Sequence, residues 1–189
     1  MQIQDDIHQC LRTLKDGGII LYPTDTVWGI GCDACNANAV AKIFALKKRQ
    51  EAKSMIILVS SEAAISTYTQ QADAVIFDYI KGVSKPTTII YEAAQNLAPN
   101  LINEDGSIAI RIVKDEFCKQ LIDAFGKPIV STSANISGYP PPALFEDIDI
   151  QIKSGVDYIV QHRQNDTHPA QPSAIVKLEK DGSIKIIRS

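Results

Sequence analysis

Four short segments carry the residue types best suited to chemistry. The first is Pro23-Thr24-Asp25-Thr26-Val27-Trp28-Gly29, with two hydroxyls, a carboxylate and the only tryptophan directly after the apolar run Ile19-Ile20-Leu21-Tyr22. Strand ends are where α/β sheets hold ligands, although a polar turn capped by Asp25 would show the same residues. The second is Lys47-Lys48-Arg49-Gln50-Glu51-Ala52-Lys53. Cations there complement the negative end of a helix dipole on a solvated face, and a triphosphate would need such a concentrated positive lining. At a helix end, Lys47 and Arg49 are expected to be partly exposed. The third is Ser131-Thr132-Ser133-Ala134-Asn135-Ile136-Ser137-Gly138, which offers donors to a phosphate or a ribose, or else forms a hydroxyl-rich loop or helix cap. The fourth is Arg111 within the apolar Ile108-Ala109-Ile110-Arg111-Ile112. A strand arginine facing water needs no partner, whereas one facing inward needs an anion.

Some chemistries are disfavoured. His8, His162 and His168 share no motif, so histidine acid–base catalysis is not indicated. Neither G-x-x-x-x-G-K-[ST] nor G-x-G-x-x-G occurs, which excludes a P-loop and a Rossmann nucleotide site. Cys32-Asp33-Ala34-Cys35 is a C-x-x-C among four cysteines. Zinc would need two further ligands at a suitable spacing, and a thioredoxin-like motif would open a helix after a strand. These thiols therefore read as small, mostly structural hydrophobes. The net charge of −3 argues against a dedicated nucleic-acid binder and leaves any anion site to a local cluster.

These segments need a scaffold to bring them together. A chain of 189 residues with 45% apolar content suits one domain spanning residues 1–189. Ile3, Ile7, Cys10, Leu11 and Leu14 recur at helical spacing, with Gly17-Gly18 as a stop. Helices are also expected from Ala37 to about Lys48, from Asp73 to Ile80 and around Phe117, Leu121 and Phe125. Strands are expected over 19–22, 55–59, 87–91, 107–112, 129–131, 173–178 and 184–187, the last two joined by an Asp181-Gly182 hairpin. The order predicts an α/β fold with a single twisted, mixed parallel and antiparallel sheet flanked by helices. No apolar run reaches bilayer length and the N-terminus lacks the pattern of a signal peptide, so no membrane association and a cytoplasmic location are expected.

Taken together, the segments resemble the YrdC-like threonylcarbamoyl-AMP synthase family in its short form. Gly18 and Tyr22 to Gly29 are similar to the family's N-terminal signature, and Lys47-Lys48-Arg49 before Ser54-Met55-Ile56 to its K-x-R segment and following strand. Pro86-Thr87-Thr88 resembles the end of its P-G-P-x-T element and Arg111 the arginine of its V-R strand. Thr132-Ser133-Ala134-Asn135 with Ser137-Gly138 matches T-S-A-N-x-S-G, and Pro172-Ser173 resembles P-S-T. Ser84-Lys85-Pro86, Val113 and Ala174 depart from the pattern, and the chain ends at Ser189 without the C-terminal extension of longer members.

The resemblance implies a YrdC-like sheet with a positively lined concave site that combines L-threonine, bicarbonate and ATP into threonylcarbamoyl-AMP and pyrophosphate. That product serves N6-threonylcarbamoyladenosine formation in tRNA through a downstream transferase. By motif, the catalytic tetrad is Lys47, Arg49, Ser133 and Asn135. These residues together with Thr88 would meet ATP, whose Mg²⁺ is carried by the nucleotide with no ligand from the protein. Thr24, Thr26, Arg111 and Ser173 would meet threonine or its carbamate. The rival expectations are an RNA-binding module or a divergent paralogue using the same basic concavity, with tRNA contact open. Trp28 would sense a ligand if its turn lines the pocket, and would respond little as a core anchor.

Overall fold

The computed structural model describes residues 3–48, 55–71, 74–179 and 183–189. Helix α1 (Ile3–Lys15) buries Ile7, Cys10 and Leu14 on one face, with Asp5 and Asp6 in its first turn and Arg12 and Lys15 in its last, the charge order its dipole favours. Gly17, at φ 70°, ends it in the left-handed conformation that glycine adopts without strain. Strand β1 (Ile20–Tyr22) is wholly buried, and β2 (Gly29–Gly31) returns beside it. The Asn36 side chain caps α2 (Ala37–Lys47) by accepting the amides of Asn38 and Ala39, and Lys48 closes that helix in the left-handed conformation. Next come β3 (Ile56–Val59), α3 (Ile65–Tyr68), α4 (Ala74–Gly82), β4 (Thr87–Tyr91) and β5 (Ile108–Ile112). Helix α5 (Glu116–Phe125) starts at its Asp115 cap and stops at Gly126. The described chain finishes with β6 (Ile129–Ser133), α6 (Ile150–Gly155), β7 (Tyr158–Ile159), β8 (Ala174–Leu178) and β9 (Ile184–Arg188).

Among the described residues the strands form one nine-stranded sheet in the order β7-β1-β2-β6-β3-β5-β4-β8-β9. The β7–β1, β3–β5 and β4–β8 pairs are parallel and the others antiparallel. This is the mixed, helix-flanked sheet that the alternation of elements predicts. One stagger matters for the site. Strand β3 pairs with β6 only as far as Ile56 opposite Ser131, while Thr132 and Ser133 continue beside Ile30 and Gly29 of β2. The end of β6 therefore runs past the start of β3, and a cavity opens there.

The differences from expectation have local causes. Strand β2 was not expected because Gly-Ile-Gly has poor strand propensity. Its glycines are needed because the Tyr22 ring lies over them. A Cβ on Gly31 would stand 2.6 Å from Tyr22 Cε1 and 2.7 Å from the Val130 carbonyl. Strand β6 extends through the hydroxyl-rich Thr132 and Ser133 that read as loop, because β2 supplies a partner. Helices α3 and α6 and strand β7 are too short for periodicity to reveal them. The expected Asp181-Gly182 turn and the Asp73 helix start lie outside the described residues, although β8 and β9 pair as a hairpin requires, with Leu178 opposite Ile184.

Candidate active site

A cavity of about 220 Å³ opens beside the end of β6. Thr26 reaches it from the turn after β1, Ser133 from β6, Arg111 from β5 and Ser173 from the start of β8. Residues far apart in sequence thus converge on one cavity across the sheet.

Thr24 builds the turn rather than touching the cavity. Its buried hydroxyl donates to the Val27 carbonyl at 2.8 Å and accepts the Thr26 amide at 3.0 Å. A hydroxyl has one proton, so in the 3.0 Å contact between the two threonine hydroxyls Thr26 is the donor. Thr26 therefore presents only lone pairs to the cavity and reads a donor on whatever binds there.

Arg111 faces inward, 3% exposed, and its anionic partner is Asp25, with Nη2 and Oδ1 3.0 Å apart. The two groups are close but misaligned. Nη2, Nε and Asp25 Oδ1 each lack a hydrogen bond within the protein. The ion pair thus balances charge while leaving one edge of the guanidinium with unused donors. Asp25 is held by the Lys114 amide at 3.3 Å through Oδ2.

Ser173 joins two layers. Its hydroxyl is 2.8 Å from that of the fully buried Thr88, so Thr88 supports the cavity wall from behind. The Ser173 carbonyl accepts Arg188 Nε at 3.0 Å and Nη2 at 2.8 Å. Arg188 also lines the cavity, and sequence reasoning missed it. Its only signal was a lone cation just past the expected strand 184–187. Partial burial first, and the charge of Arg111 second, hold its guanidinium below the usual pKa. Two arginines sharing one cavity favour an anionic occupant.

Lys47 departs from expectation. It is 1% exposed, not part of a solvated basic face, because the last residue of α2 turns under the segment after β6. Its ammonium donates to the Ser133 carbonyl and, at 2.6 Å, to the Asn135 carbonyl. The Ser137 amide in turn donates to the Lys47 carbonyl at 2.9 Å. Asn135 donates through Nδ2 to the carbonyls of Ile136 and Tyr139 and lines a neighbouring depression with Tyr139 and Pro142. Arg49 lies outside the described residues.

Trp28 is a core anchor. It is 6% exposed and packs on Phe145 with ring centroids 4.7 Å apart; its neighbours Val27 and Gly29 line the cavity, but its own side chain does not. Cys32 is fully buried; burial and the Asp33 charge push its thiol up, and the same two causes raise the more exposed Cys35. Both therefore stay protonated near neutrality. Among the described residues no cluster of three or more His, Cys, Asp or Glu could hold a metal ion, and no helix is long and apolar enough to cross a membrane.

The model of the Sua5/YciO/YrdC domain, described as "Telomere recombination", matches residues 12–189. The chain belongs to this family. It is 32% identical over 160 residues to the threonylcarbamoyl-AMP synthase of Photobacterium profundum, covering 83% of this chain and 86% of that one. The fold is that of P. abyssi Sua5 complexed with L-threonine, at a TM-score of 0.86 and 21% identity, covering all of this chain and 54% of that one. It is also that of E. coli YciO, at a TM-score of 0.85 and 23% identity, covering 100% of this chain and 90% of that one. Members of the Sua5/YciO/YrdC family thus share the sheet that carries this cavity.

Proposed function

We propose that residues 1–189 form a catalytic domain that makes threonylcarbamoyl-AMP and pyrophosphate from L-threonine, bicarbonate and ATP. The adenylate then passes to a transferase that completes N6-threonylcarbamoyladenosine in tRNA. Relatives over most of the chain carry the name threonylcarbamoyl-AMP synthase. The observation that carries the reading is a cavity lined by Arg111, Thr26 and Ser173, where the buried guanidinium of Arg111 has Nε and Nη2 without a hydrogen bond within the protein. A planar guanidinium fork matches a carboxylate, and Thr26, confined to accepting, matches the amine beside it.

The chemistry follows from these roles. The threonine amine attacks bicarbonate, and water leaves as the carbamate forms. The carbamate keeps an N–H, so the Thr26 acceptor serves both species. A carbamate oxygen then attacks the α-phosphorus of ATP and pyrophosphate departs. Because the nucleophile is already anionic, this step needs no strong general base, in keeping with histidines that share no motif. Positioning and charge stabilisation supply the rate. Lys47 and Arg49 provide positive charge for the phosphates, Ser133 and Asn135 hydrogen bonds, and Thr88 support for the Ser173 wall. ATP enters as its Mg²⁺ complex, the ion held by phosphate oxygens and water.

The test is mass spectrometry with a pyrophosphate assay. Threonylcarbamoyl-AMP and pyrophosphate are expected only when ATP, L-threonine and bicarbonate are all present. Equal pyrophosphate release without threonine would replace this reading with a generic ATPase.

A further inference from the structure

Thr26 owes its orientation to contacts that reach well beyond the cavity. They start in the crossover between β7 and β8. Asp6 of α1, almost fully buried, accepts the Tyr158 hydroxyl at 2.6 Å and the amides of Gln161 and His162 at 2.9 Å. This fixes the crossover just before Arg163, which sits at φ 67°. That left-handed conformation costs a side-chain-bearing residue on the order of 1 kcal/mol or more. Glycine would suit the backbone better, so what arginine adds at this position lies in its side chain.

The guanidinium of Arg163, 31% exposed, bridges two elements. Nη1 meets Asp115 Oδ2 at 2.6 Å and Nη2 donates to the Thr24 carbonyl at 3.0 Å. Asp115 is at the same time the cap of α5, accepting the Cys118 amide through Oδ1 at 2.9 Å. Arg163 therefore ties the backbone of the Thr24 turn to the first turn of α5. The Thr24 hydroxyl continues the connection to Thr26. The start of α5 also grips this turn through Lys114 to Asp25 and through the Cys118 thiol to the Pro23 carbonyl at 3.3 Å. Of these contacts, the one from Arg163 lands on the residue that orients Thr26.

We infer that Arg163 is a positioning residue, holding Thr24 so that the Thr26 hydroxyl faces the cavity as an acceptor. The identity of the ligand as threonine rests on the proposed function; the positioning role does not. Arg163→Gly is the decisive variant, because it relieves the backbone and removes the guanidinium. Arg163→Lys keeps a charge without the fork, and Asp115→Asn keeps a helix cap while breaking the ion pair.

Each variant is compared with the wild-type chain by calorimetric titration of L-threonine, by KM for threonine and for ATP, and by amide exchange at Thr26. Arg163→Gly is expected to weaken threonine binding roughly three- to thirtyfold, with ATP KM little changed and the melting temperature held or raised. Arg163→Lys and Asp115→Asn should fall between. A general structural role would instead lower the melting temperature and move both KM values together, which overturns the inference, as does wild-type threonine affinity in Arg163→Gly. If the wild-type chain binds no threonine, the functional reading falls and amide exchange decides. Faster exchange at Thr26 in Arg163→Gly supports positioning; unchanged exchange overturns it.

Discussion

The two sides of the site are built in different ways. The side proposed for threonine hangs on strands: Arg111 on β5, Ser173 at the start of β8, and Thr26 in a turn fastened to α5. Its polar groups are cross-tied, yet two guanidinium nitrogens of Arg111 lack a hydrogen bond within the protein and the lone pairs of Thr26 face the cavity. On the side proposed for ATP, Lys47 is used differently. Its ammonium is bonded to the carbonyls of Ser133 and Asn135, so it shapes the segment it would serve. One side offers unused donors and acceptors from a rigid frame; on the other, a charge assembles the frame.

The sharpest way to break this contrast is Lys47→Ala. It removes the donor from two carbonyls in a region that admits little water, and each unsatisfied buried polar group costs about 1–3 kcal/mol. Unfolding in denaturant should therefore reveal a clear stability loss, along with a turnover loss of about 10²-fold or more. A stable, inactive variant would return Lys47 to a purely phosphate-binding role.

Arg111→Lys comes next. Lysine keeps the charge opposite Asp25 and loses the planar fork. A hydrogen bond to a charged group is worth about 1.5–3 kcal/mol, so KM for threonine should rise about ten- to a hundredfold while KM for ATP moves less. A selective loss of ATP affinity would transfer Arg111 to the nucleotide.

Thr26→Val sharpens the same side with a smaller step. It removes one neutral acceptor of nearly the same shape, so threonine affinity should fall about fivefold, as expected for about 1 kcal/mol. Calorimetry showing no change would mean that the amine is read elsewhere.

Trp28 should give the smallest response. Because its indole packs on Phe145 outside the cavity, fluorescence should stay nearly flat on titration with threonine, ATP or both. A large saturable change would put the turn's far end in contact with ligand and blur the division between the two sides.

The sequence by itself determined the secondary structure wherever an apolar period ran long enough to show. The amphipathic face of α1, the buried strands around Ile20 and Ile110, and the stop at Gly17 could all be read from residue order. So could the segments that meet at the cavity, because hydroxyls and charges beside apolar strands have few packing explanations. Which atoms face the cavity could not be read. Lys47 and Lys48 are adjacent cations, yet one is buried beneath the Ser133 segment while the other is exposed and reaches Gln151. Thr24 and Thr26 look equivalent in sequence, yet one builds the turn and the other lines the cavity. Arg188 and Arg163 carry no motif and acquire their roles from carbonyls, of Ser173 and Thr24, brought to them by strand pairing and by the crossover. A side chain's exposure and its hydrogen-bond polarity depend on partners distant along the chain, and only the packed sheet supplies them.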